Sequence, residues 1–247
     1  AGGCDEVFSY PMFRDLEREQ TVFTGVAGHR SFGANLAHGG QTTSSQGMLV
    51  SGSYFPVLGL QPALGRLFTP DDDRTPGAHP VVVLSHDHWR VRFDASPDIL
   101  SDTLIVNSQA MTVVGVAPRG FRGTTLGELP DVFVPLTMSE SMRGRQDQDS
   151  RRSYWVYLFA RLAPGMSIDA ASTGINVPYV AIITDLELAL QQGSSDRTLE
   201  RFAAKQIALE PGSRGHSNLQ QEAGAPLLLL LGVTGVVLLI ACVNIAN

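Results

Sequence analysis

The stretch 225–246 reads APLLLLLGVTGVVLLIACVNIA and contains no charged side chain. A helix rises about 1.5 Å per residue, so a helix of this length reaches roughly 33 Å, and a bilayer's hydrocarbon core is about 30 Å thick. The alternative is a helix buried on all sides in a soluble core, but covering it usually takes a larger soluble protein. Residues 223–247 are therefore predicted to begin a transmembrane helix.

Residues 1–222 differ from this apolar stretch in composition, because they hold all 18 basic and all 24 acidic residues of the chain. A segment of this length can bury a sizeable core, so we expect a water-soluble domain delivered to a membrane. The sequence starts with Ala1 instead of Met, and no secretory signal precedes the domain. We therefore expect the chain to be part of a longer protein.

The charge pattern argues against a nucleic-acid partner. The formal net charge is −6, Lys205 is the only lysine, and the longest basic block is the pair Arg151-Arg152. Binding to phosphates needs a clustered basic face, which this sequence lacks. We therefore expect no nucleic acid among the partners.

Hydrophobic spacing and turn residues predict the elements of the first part of the chain. They are a helix opened by Tyr10-Pro11, a hairpin over 31–53 that turns at His38-Gly39-Gly40-Gln41, strands at 80–84, 103–106, 111–116 and 131–136, a turn at 107–109, and a helix capped by Ser85. Together the strands suggest a small, largely antiparallel sheet.

The second part is predicted in the same way. Its elements are a mobile loop over 139–153, a strand over 154–162, a turn at Pro164-Gly165, a helix capped by Ser167 and ended near Gly193, and a last strand over 205–209. Pro178 lies inside that helix, and because it lacks a backbone donor we expect a kink or break near Val177.

Sequence motifs for catalysis and nucleotide binding are missing. The pattern G-x-x-x-x-G-K-[ST] requires a lysine after glycine, whereas Lys205 follows Ala204. The sequence also lacks G-x-S-x-G, H-E-x-x-H and paired C-x-x-C motifs. We expect a protein that is not an enzyme and that has no catalytic, cofactor-binding or metal-binding residues and no cofactor.

Two polar clusters contain side chains that are able to bind a metal ion. His86-Asp87-His88, with His79 nearby, contains good ligands, but adjacent helical positions point about 100° apart, which favours solvated surface histidines. Asp71-Asp72-Asp73 offers carboxylates to a hard cation, but it lacks the alternating ligands and later Glu of a calcium loop. A solvated turn that caps a helix is the favoured interpretation of the aspartates.

One aromatic cluster, Tyr154, Trp155, Tyr157 and Phe159, has two interpretations. It is either a ligand or partner surface, or ordinary packing of aromatic residues on a sheet. Packing is favoured, because aromatic residues are common in strands for that reason.

Ordered blocks along nearly the whole chain resemble the periplasmic core domain of MacB-like, FtsX-type ABC transporter permeases, including the subgroup of duplicated orphan permeases. The blocks are Phe8-Ser9-Tyr10-Pro11, Phe13-Arg14-Asp15-Leu16, 50–59, 62–68, Val83-Leu84-Ser85 with Trp89 and Phe93, 113–118 with Gly120-Phe121, 161–165 and 239–247. Their glycines are interpreted as tight turns and their large apolar residues as core.

This resemblance implies an α+β, two-lobed extracytoplasmic domain followed by a transmembrane helix. The MacB-like periplasmic core domain would span residues 1–222. A discontinuous α/β lobe would comprise about 1–56 and 152–211, and an inserted β-rich lobe about 57–151. The domain would follow a first membrane helix, and residues 223–247 would start the second. Residues 1–222 would lie on the periplasmic side of a bacterial inner (plasma) membrane.

The implied function is that of a non-catalytic permease subunit. Its domain would couple ATP hydrolysis in the cytoplasm to export or envelope work. The implied partners are a separate ABC-type ATPase, a second permease unit in a homodimer or pseudo-dimer, and the lipid bilayer. The alternative is a membrane-anchored extracytoplasmic binding or sensor module without transport. A third hypothesis, a tethered envelope enzyme, rests only on the scattered histidines and aspartates.

Overall fold

The computed structural model describes residues 7–191, 193, 195–212, 215 and 229–235. It divides into two compact units, Ala1–Arg122 with Leu129–Glu210, and Gly123–Glu128 with Pro211–Asn247. In the second unit, residues 229–235 are helical. The rest of the predicted membrane helix lies outside the described residues.

The first unit contains a mixed sheet of nine described strands. The strands are β1 (Val7–Ser9), β2 (Phe23–His38), β3 (Gln41–Val50), β4 (Leu64–Gly65), β5 (Val81–Leu84), β6 (Thr103–Val106), β7 (Gln109–Val116), β8 (Val132–Pro135) and β9 (Tyr154–Leu162). The helices are α1 (Tyr10–Glu19), α2 (Tyr54–Leu58), α3 (His86–Arg92), α4 (Ser139–Arg143), α5 (Ile168–Ile182) and α6 (Asp196–Ala203). The mixed α/β content agrees with the predicted fold class.

Most strand pairs are antiparallel, as expected, but β3 pairs with β8 and β5 with β7 in parallel. The sheet is also larger than the small sheet predicted from the sequence. The pairings β2–β3, β3–β8, β8–β5, β5–β7, β7–β6 and β6–β2 return to their starting strand. These strands therefore form a closed ring, which removes most of the free edges that an open sheet would expose.

The interior of the ring is hydrophobic. One buried cluster takes residues from every strand of the ring, and most come at alternate positions, as the period of a strand requires. They are Phe32, Ala34, Leu36, Leu49, Val82, Leu84, Leu104, Val106, Met111, Val113, Val116, Val132 and Val134. A second cluster, which includes Met48, Val83 and Phe133, packs on the helix α2 with its Tyr54 and Phe55.

The long strand β2 belongs to two parts of the sheet. Its first half pairs with β9 from Phe23 to His29, and its second half pairs with β3 from His29 to His38. Strands of both predicted lobes thus join a single sheet, and the lobe boundaries at 56/57 and 151/152 stay a prediction.

Both two-residue turns lie where the sequence predicts them. Gly39 and Gly40 connect β2 to β3 with φ values of 56° and 76°, and Asn107 and Ser108 connect β6 to β7 with 47° and 69°. Positive φ at both central positions is the geometry of a type I′ hairpin turn, which glycine and asparagine favour. These hairpin predictions are confirmed, as are the caps by Ser85 and Ser167.

The segment 139–153 is not simply the loop that its polar composition predicts. It begins with helix α4, Met142 is buried in the core, and the hydroxyl of Ser139 donates to Oε1 of Gln148 over 2.9 Å. Its buried polar side chains are partners for one another, so a low apolar content does not place this segment in solvent.

Helix α5 does not break at Pro178. It runs from Ile168 to Ile182 and continues as a π-helical turn, Ile183–Glu187, and a 3-10 turn, Leu188–Gln191. Its buried face packs against α1 and Val22, and Gly174 leaves no room for a Cβ beside Val22. This packing offsets a proline cost of about 3 kcal/mol.

Among the described residues, the continuous helix Ile168–Gln191 is long and apolar enough to cross a membrane by length and composition. One side of it is part of the hydrophobic core with Met12 and Leu16 of α1. The core helix of a soluble domain has the same character, so its composition alone does not make it a membrane helix.

The predicted strand over 205–209 is wrong, because these residues pair with no strand and follow helix α6. The side chain of Asn176 takes the place of a neighbouring strand. Its Oδ1 accepts from the Ile207 amide over 2.8 Å, and its Nδ2 donates to the Ile207 carbonyl over 3.0 Å. This pair of bonds fixes the segment to α5.

Candidate functional site

The histidines around α3 do not converge. The Nδ1 atom of His88 lies 3.5 Å from Asp131, whereas that of His86 lies 4.0 Å from Asp87. His79 precedes β5 and is outside the helix. Within the described part of the chain, no three His, Cys, Asp or Glu side chains are grouped as metal ligands.

The three consecutive aspartates lie in a 3-10 turn, Pro70–Asp73, and have separate partners. Asp71 pairs with Arg74, whereas Asp72 forms a bidentate pair with Arg66 at 2.7 and 2.8 Å. Burial acts to raise the pKa of Asp72, but the hydrogen bonds from Arg66 and Thr69 hold it below its ordinary value. The carboxylates are therefore used in structural contacts.

Asp73 is the fully buried member of the turn. It accepts hydrogen bonds from the backbone amides of Thr137 at 2.8 Å and Gly52 at 3.2 Å. Burial raises its pKa to about 6, although these donors act in the opposite direction. Asp73 thus joins three segments that are far apart in sequence.

The aromatic residues of β9 are divided among different surroundings. Trp155 stacks on Tyr10 with ring centroids 6.4 Å apart, and Phe159 meets Tyr54 edge-on at 5.4 Å. The ring of Tyr157 lies 5.7 Å from that of His29. These three pack as the sheet interpretation predicts, whereas Tyr154 joins a polar cluster that the sequence interpretation did not identify.

That cluster, the α1–Glu187 network, comprises Asp15, Arg18, Arg151, Tyr154 and Glu187. Arg151 donates to Asp15 over 2.6 Å and lies 3.7 Å from Glu187, and Arg18 also donates to Asp15, over 2.9 Å. The hydroxyl of Tyr154 donates to Glu187 over 3.0 Å. Two carboxylates are thus held by two arginines and a phenol.

The carboxyl group of Glu187 is the most deeply buried charge in this network, with 1% of its side chain exposed. Burial raises its pKa above the ordinary value, whereas the hydrogen bond from Tyr154 and the charge of Arg151 act to lower it. Burial and the nearby Glu187 raise the pKa of Tyr154. The phenol therefore remains a hydrogen-bond donor.

The network connects the two ends of the first unit. Asp15 belongs to α1, close to the start of the chain, and Glu187 lies in the π-helical turn after α5. The ammonium of Lys205 lies 6.0 Å from the ring centroid of Tyr154, and the bonds from Asn176 hold the same segment at Ile207. The geometry is suited to holding two terminal segments together.

One sequence signal for this network was present. Along one face of α5 and its continuation, buried residues recur every four positions, at Ala171, Ile175, Tyr179, Ile183 and Glu187. A glutamate at the end of such a stripe predicts a buried carboxyl group that needs a partner. The partner Arg151 has no comparable signal, because it lies in a polar stretch that resembles a loop.

Comparisons with known proteins agree with the resemblance in the sequence. The family model described as MacB-like periplasmic core domain matches residues 2–176. A comparison with curated protein sequences gives no match.

Two solved structures share the fold. The periplasmic region of MacB from Actinobacillus actinomycetemcomitans is 16% identical, with a TM-score of 0.55, over 77% of this chain and 86% of that chain. The extracellular domain of the noncanonic ABC-type transporter YknZ from Gram-positive bacteria is 15% identical, with a TM-score of 0.52, over 70% of this chain and 82% of that chain. With the family match over most of its length, the chain belongs to the family of MacB-like periplasmic core domains of ABC transporter permeases.

Proposed function

We propose that this chain belongs to a non-catalytic permease subunit that couples ATP hydrolysis in the cytoplasm to export or other work in the cell envelope. A separate ABC-type ATPase supplies the hydrolysis, and a second permease unit completes a homodimer or pseudo-dimer. The subunit resides in a bacterial inner membrane, and residues 1–222 lie outside the cytoplasm.

The observation that carries this proposal is the family match over residues 2–176. The related solved domains come from MacB and from YknZ, the latter described as a noncanonic ABC-type transporter. Residues 1–247 themselves contain no phosphate-binding loop, which is consistent with hydrolysis taking place outside this segment.

The coupling part of the proposal is supported by the α1–Glu187 network. Movement of a membrane helix would reach a folded domain through the segment attached to it, and α1 and residues 205–209 lie toward the two ends of residues 1–222 in the sequence. The network joins α1 to Arg151 and Glu187, and the bonds from Asn176 join α5 to Ile207. Because α1 and α5 pack in one hydrophobic cluster, we expect a displacement of one segment to reach the other.

The experiment is co-purification of the full-length protein from detergent-solubilised membranes, followed by ATPase measurements in lipid nanodiscs. We expect an ABC-type ATPase to co-purify and its rate to depend on the permease. Glu187→Gln is expected to weaken this dependence, while Asp185→Asn, an exposed acid of the same π-helical turn, leaves it unchanged. Repeated isolation without an ATPase would favour the binding or sensor module.

A further inference from the structure

Three arginines lie around the end of helix α4. Arg143 is the last residue of this helix, and Gly144 follows it with a φ of 65°, a left-handed cap that turns the chain before Arg145. The third is Arg30 of β2, next to His29, where the strand passes from its pairing with β9 to its pairing with β3. We call Arg30, Arg143 and Arg145 the arginine cluster.

The side chain of Asn107 holds α4 against β2. Its Nδ2 atom donates to the carbonyl oxygen of Gly33 in β2 over 3.0 Å and to that of Met142 in α4 over 2.9 Å. Met142 directly precedes Arg143, and Gly33 follows Arg30 by three positions. This bridge therefore keeps the end of α4 next to the strand that carries Arg30.

Aromatic rings of β9 support two of the arginines. The guanidinium carbon of Arg143 lies 4.2 Å from the ring centroid of Trp155, and that of Arg30 lies 5.2 Å from the ring centroid of Tyr157. A cation–π contact holds a guanidinium group over a ring but brings no negative charge to it. The two groups are thus held in place while their positive charge remains.

The positive charge of the cluster exceeds the charge of its acidic partner. Oδ1 of Asp147 lies 3.6 Å from Nη1 of Arg143, and its other oxygen accepts from the hydroxyl of Ser153 over 2.6 Å. Within the described part of the chain, Arg30 and Arg145 form no ion pair. Three guanidinium groups and one carboxylate leave an excess of two positive charges, in a chain whose net charge is −6.

The pKa of Arg143 reflects the same balance. Burial lowers this pKa below its ordinary value, Asp147 acts to raise it, and the charges of Arg30 and Arg145 act to lower it. Charges affect one another in this way only when they are close, because the Coulomb energy falls with distance. The direction of the shift therefore supports a site whose positive charge is only partly offset.

Hydrogen-bond acceptors are also scarce around α4. Three buried N–H groups there have no acceptor in the described structure, and they belong to Nη1 of Arg143, Nε2 of Gln148 and Nε1 of Trp155. Gln148 is tied to the helix by the hydroxyl of Ser139. One buried acceptor, Oδ1 of Asp147, is likewise without a hydrogen bond. Buried donors without acceptors are rare, and an oxyanion is a group that only accepts.

We infer that the arginine cluster binds a phosphate group in its doubly charged form, as in a phosphate monoester. The forked N–H groups of arginine match pairs of phosphate oxygens, and two negative charges offset the excess charge of the cluster. A single carboxylate would offset only half of it. A soluble phosphate ester and the headgroup of phosphatidic acid both present this chemistry. The inference does not depend on the presence of an ATPase.

The test titrates inorganic phosphate into the full chain in non-ionic detergent and follows binding by isothermal titration calorimetry at pH 6 and pH 8. Phosphate gains most of its second negative charge between these values, so we expect binding to be about tenfold tighter at pH 8. Sulfate is doubly charged at both values and should bind equally at both. It therefore reports any change in the charge of the protein itself.

The source of the phosphate group is distinguished by repeating the titration in nanodiscs. Phosphatidic acid presents a phosphate monoester, whereas phosphatidylglycerol presents a diester and also gives the disc a negative surface. Weaker binding of inorganic phosphate in phosphatidic acid discs than in phosphatidylglycerol discs identifies the lipid headgroup as the occupant. Equal binding in the two kinds of disc identifies a soluble phosphate ester.

Variants separate this site from a general effect of charge. Arg145→Gln changes an exposed side chain and should weaken phosphate binding about tenfold or more, with urea denaturation confirming that the variant is folded. Asp147→Asn removes the repelling charge and should tighten binding. Arg90→Gln, an exposed arginine of α3, is the matched control and should leave the affinity unchanged.

Three results would each overturn the inference. They are the absence of phosphate binding at millimolar concentrations, an equal loss of affinity in Arg90→Gln and Arg145→Gln, and phosphate affinities that are the same at pH 6 and pH 8. None of these readouts requires hydrolysis of ATP, so a failure of the proposed association with an ATPase leaves them interpretable.

Discussion

Asp73 and Glu187 are both buried carboxyl groups, but different kinds of donor hold them. Asp73 accepts from two backbone amides, and these belong to Gly52 and Thr137. Glu187 instead meets the side chains of Tyr154 and Arg151. Backbone donors are fixed by the fold, whereas side chains can exchange partners. We interpret the first site as a rigid junction of the strand ring and the second as a junction that is able to open.

The largest expected effect comes from removing the Asp73 carboxylate. Asp73→Ala leaves two buried amides without acceptors, each costing about 1–3 kcal/mol, so the free energy of unfolding should fall by about 2–6 kcal/mol. Urea denaturation followed by circular dichroism measures this change. Asp71→Ala removes an exposed carboxylate of the same turn, and a similar loss there would contradict the assignment.

Glu187→Ala should have a smaller effect on stability, about 1–3 kcal/mol in the same measurement. Arg151 keeps its hydrogen bond to Asp15, so its charge is not left without a partner. Glu187→Gln should recover part of the loss, because its carbonyl oxygen still accepts from Tyr154. A loss as large as that of Asp73→Ala would remove the distinction between the two junctions.

The third prediction concerns pH and uses the pKa of Asp73, which burial raises to about 6. The folded state binds this proton more tightly than the unfolded chain, whose aspartate pKa is near 3.9, so stability is present at low pH and lost as pH rises through 6. The expected loss between pH 5 and pH 7 is about 1 kcal/mol. The raised pKa of Glu187 acts in the same direction.

The pH effect is measured by urea denaturation of the wild type and Asp73→Asn across this range. The variant should be less stable at every pH but should lose most of the slope. Asp71→Asn serves as the matched control and should retain the slope. An unchanged slope in Asp73→Asn would assign the pH dependence to other carboxyl groups.

The smallest expected change in global stability comes from Asn176→Ala. The variant removes the two side-chain bonds that hold the backbone of Ile207 to α5, whereas the packing of Ile207 and Leu209 against the hydrophobic cluster of α1 and α5 remains. We expect a global loss of about 0.5–1.5 kcal/mol at most, with faster hydrogen exchange at the Ile207 amide. Unchanged exchange at Ile207 would show that other contacts hold the segment.

Local patterns in the sequence predicted much of the strand ring. Gly39-Gly40 and Asn107-Ser108 mark hairpin turns by their own conformational preferences, and Ser85 and Ser167 mark helix starts. Long-range pairings had no such signal, and these include the parallel contact of β3 with β8 that helps to close the ring. A polar composition also misled the interpretation of 139–153, where burial depends on partners elsewhere in the chain.

The candidate functional residues were harder to predict for the same reason. Arg151 and Asp15 are 136 positions apart, and no local motif connects them. The packing of α5 kept Pro178 within the helix, and the side chain of Asn176 replaced a predicted strand pairing. In each case tertiary contacts overrode a local preference.

The continuity of β2 limits where this domain tolerates changes in length. A residue inserted or deleted near His29 would shift the register and turn the inward side chains of one half of the strand outward. An insertion between Gly39 and Gly40 only lengthens an exposed turn. Engineered tags, and natural insertions in relatives, are therefore best accommodated at that turn.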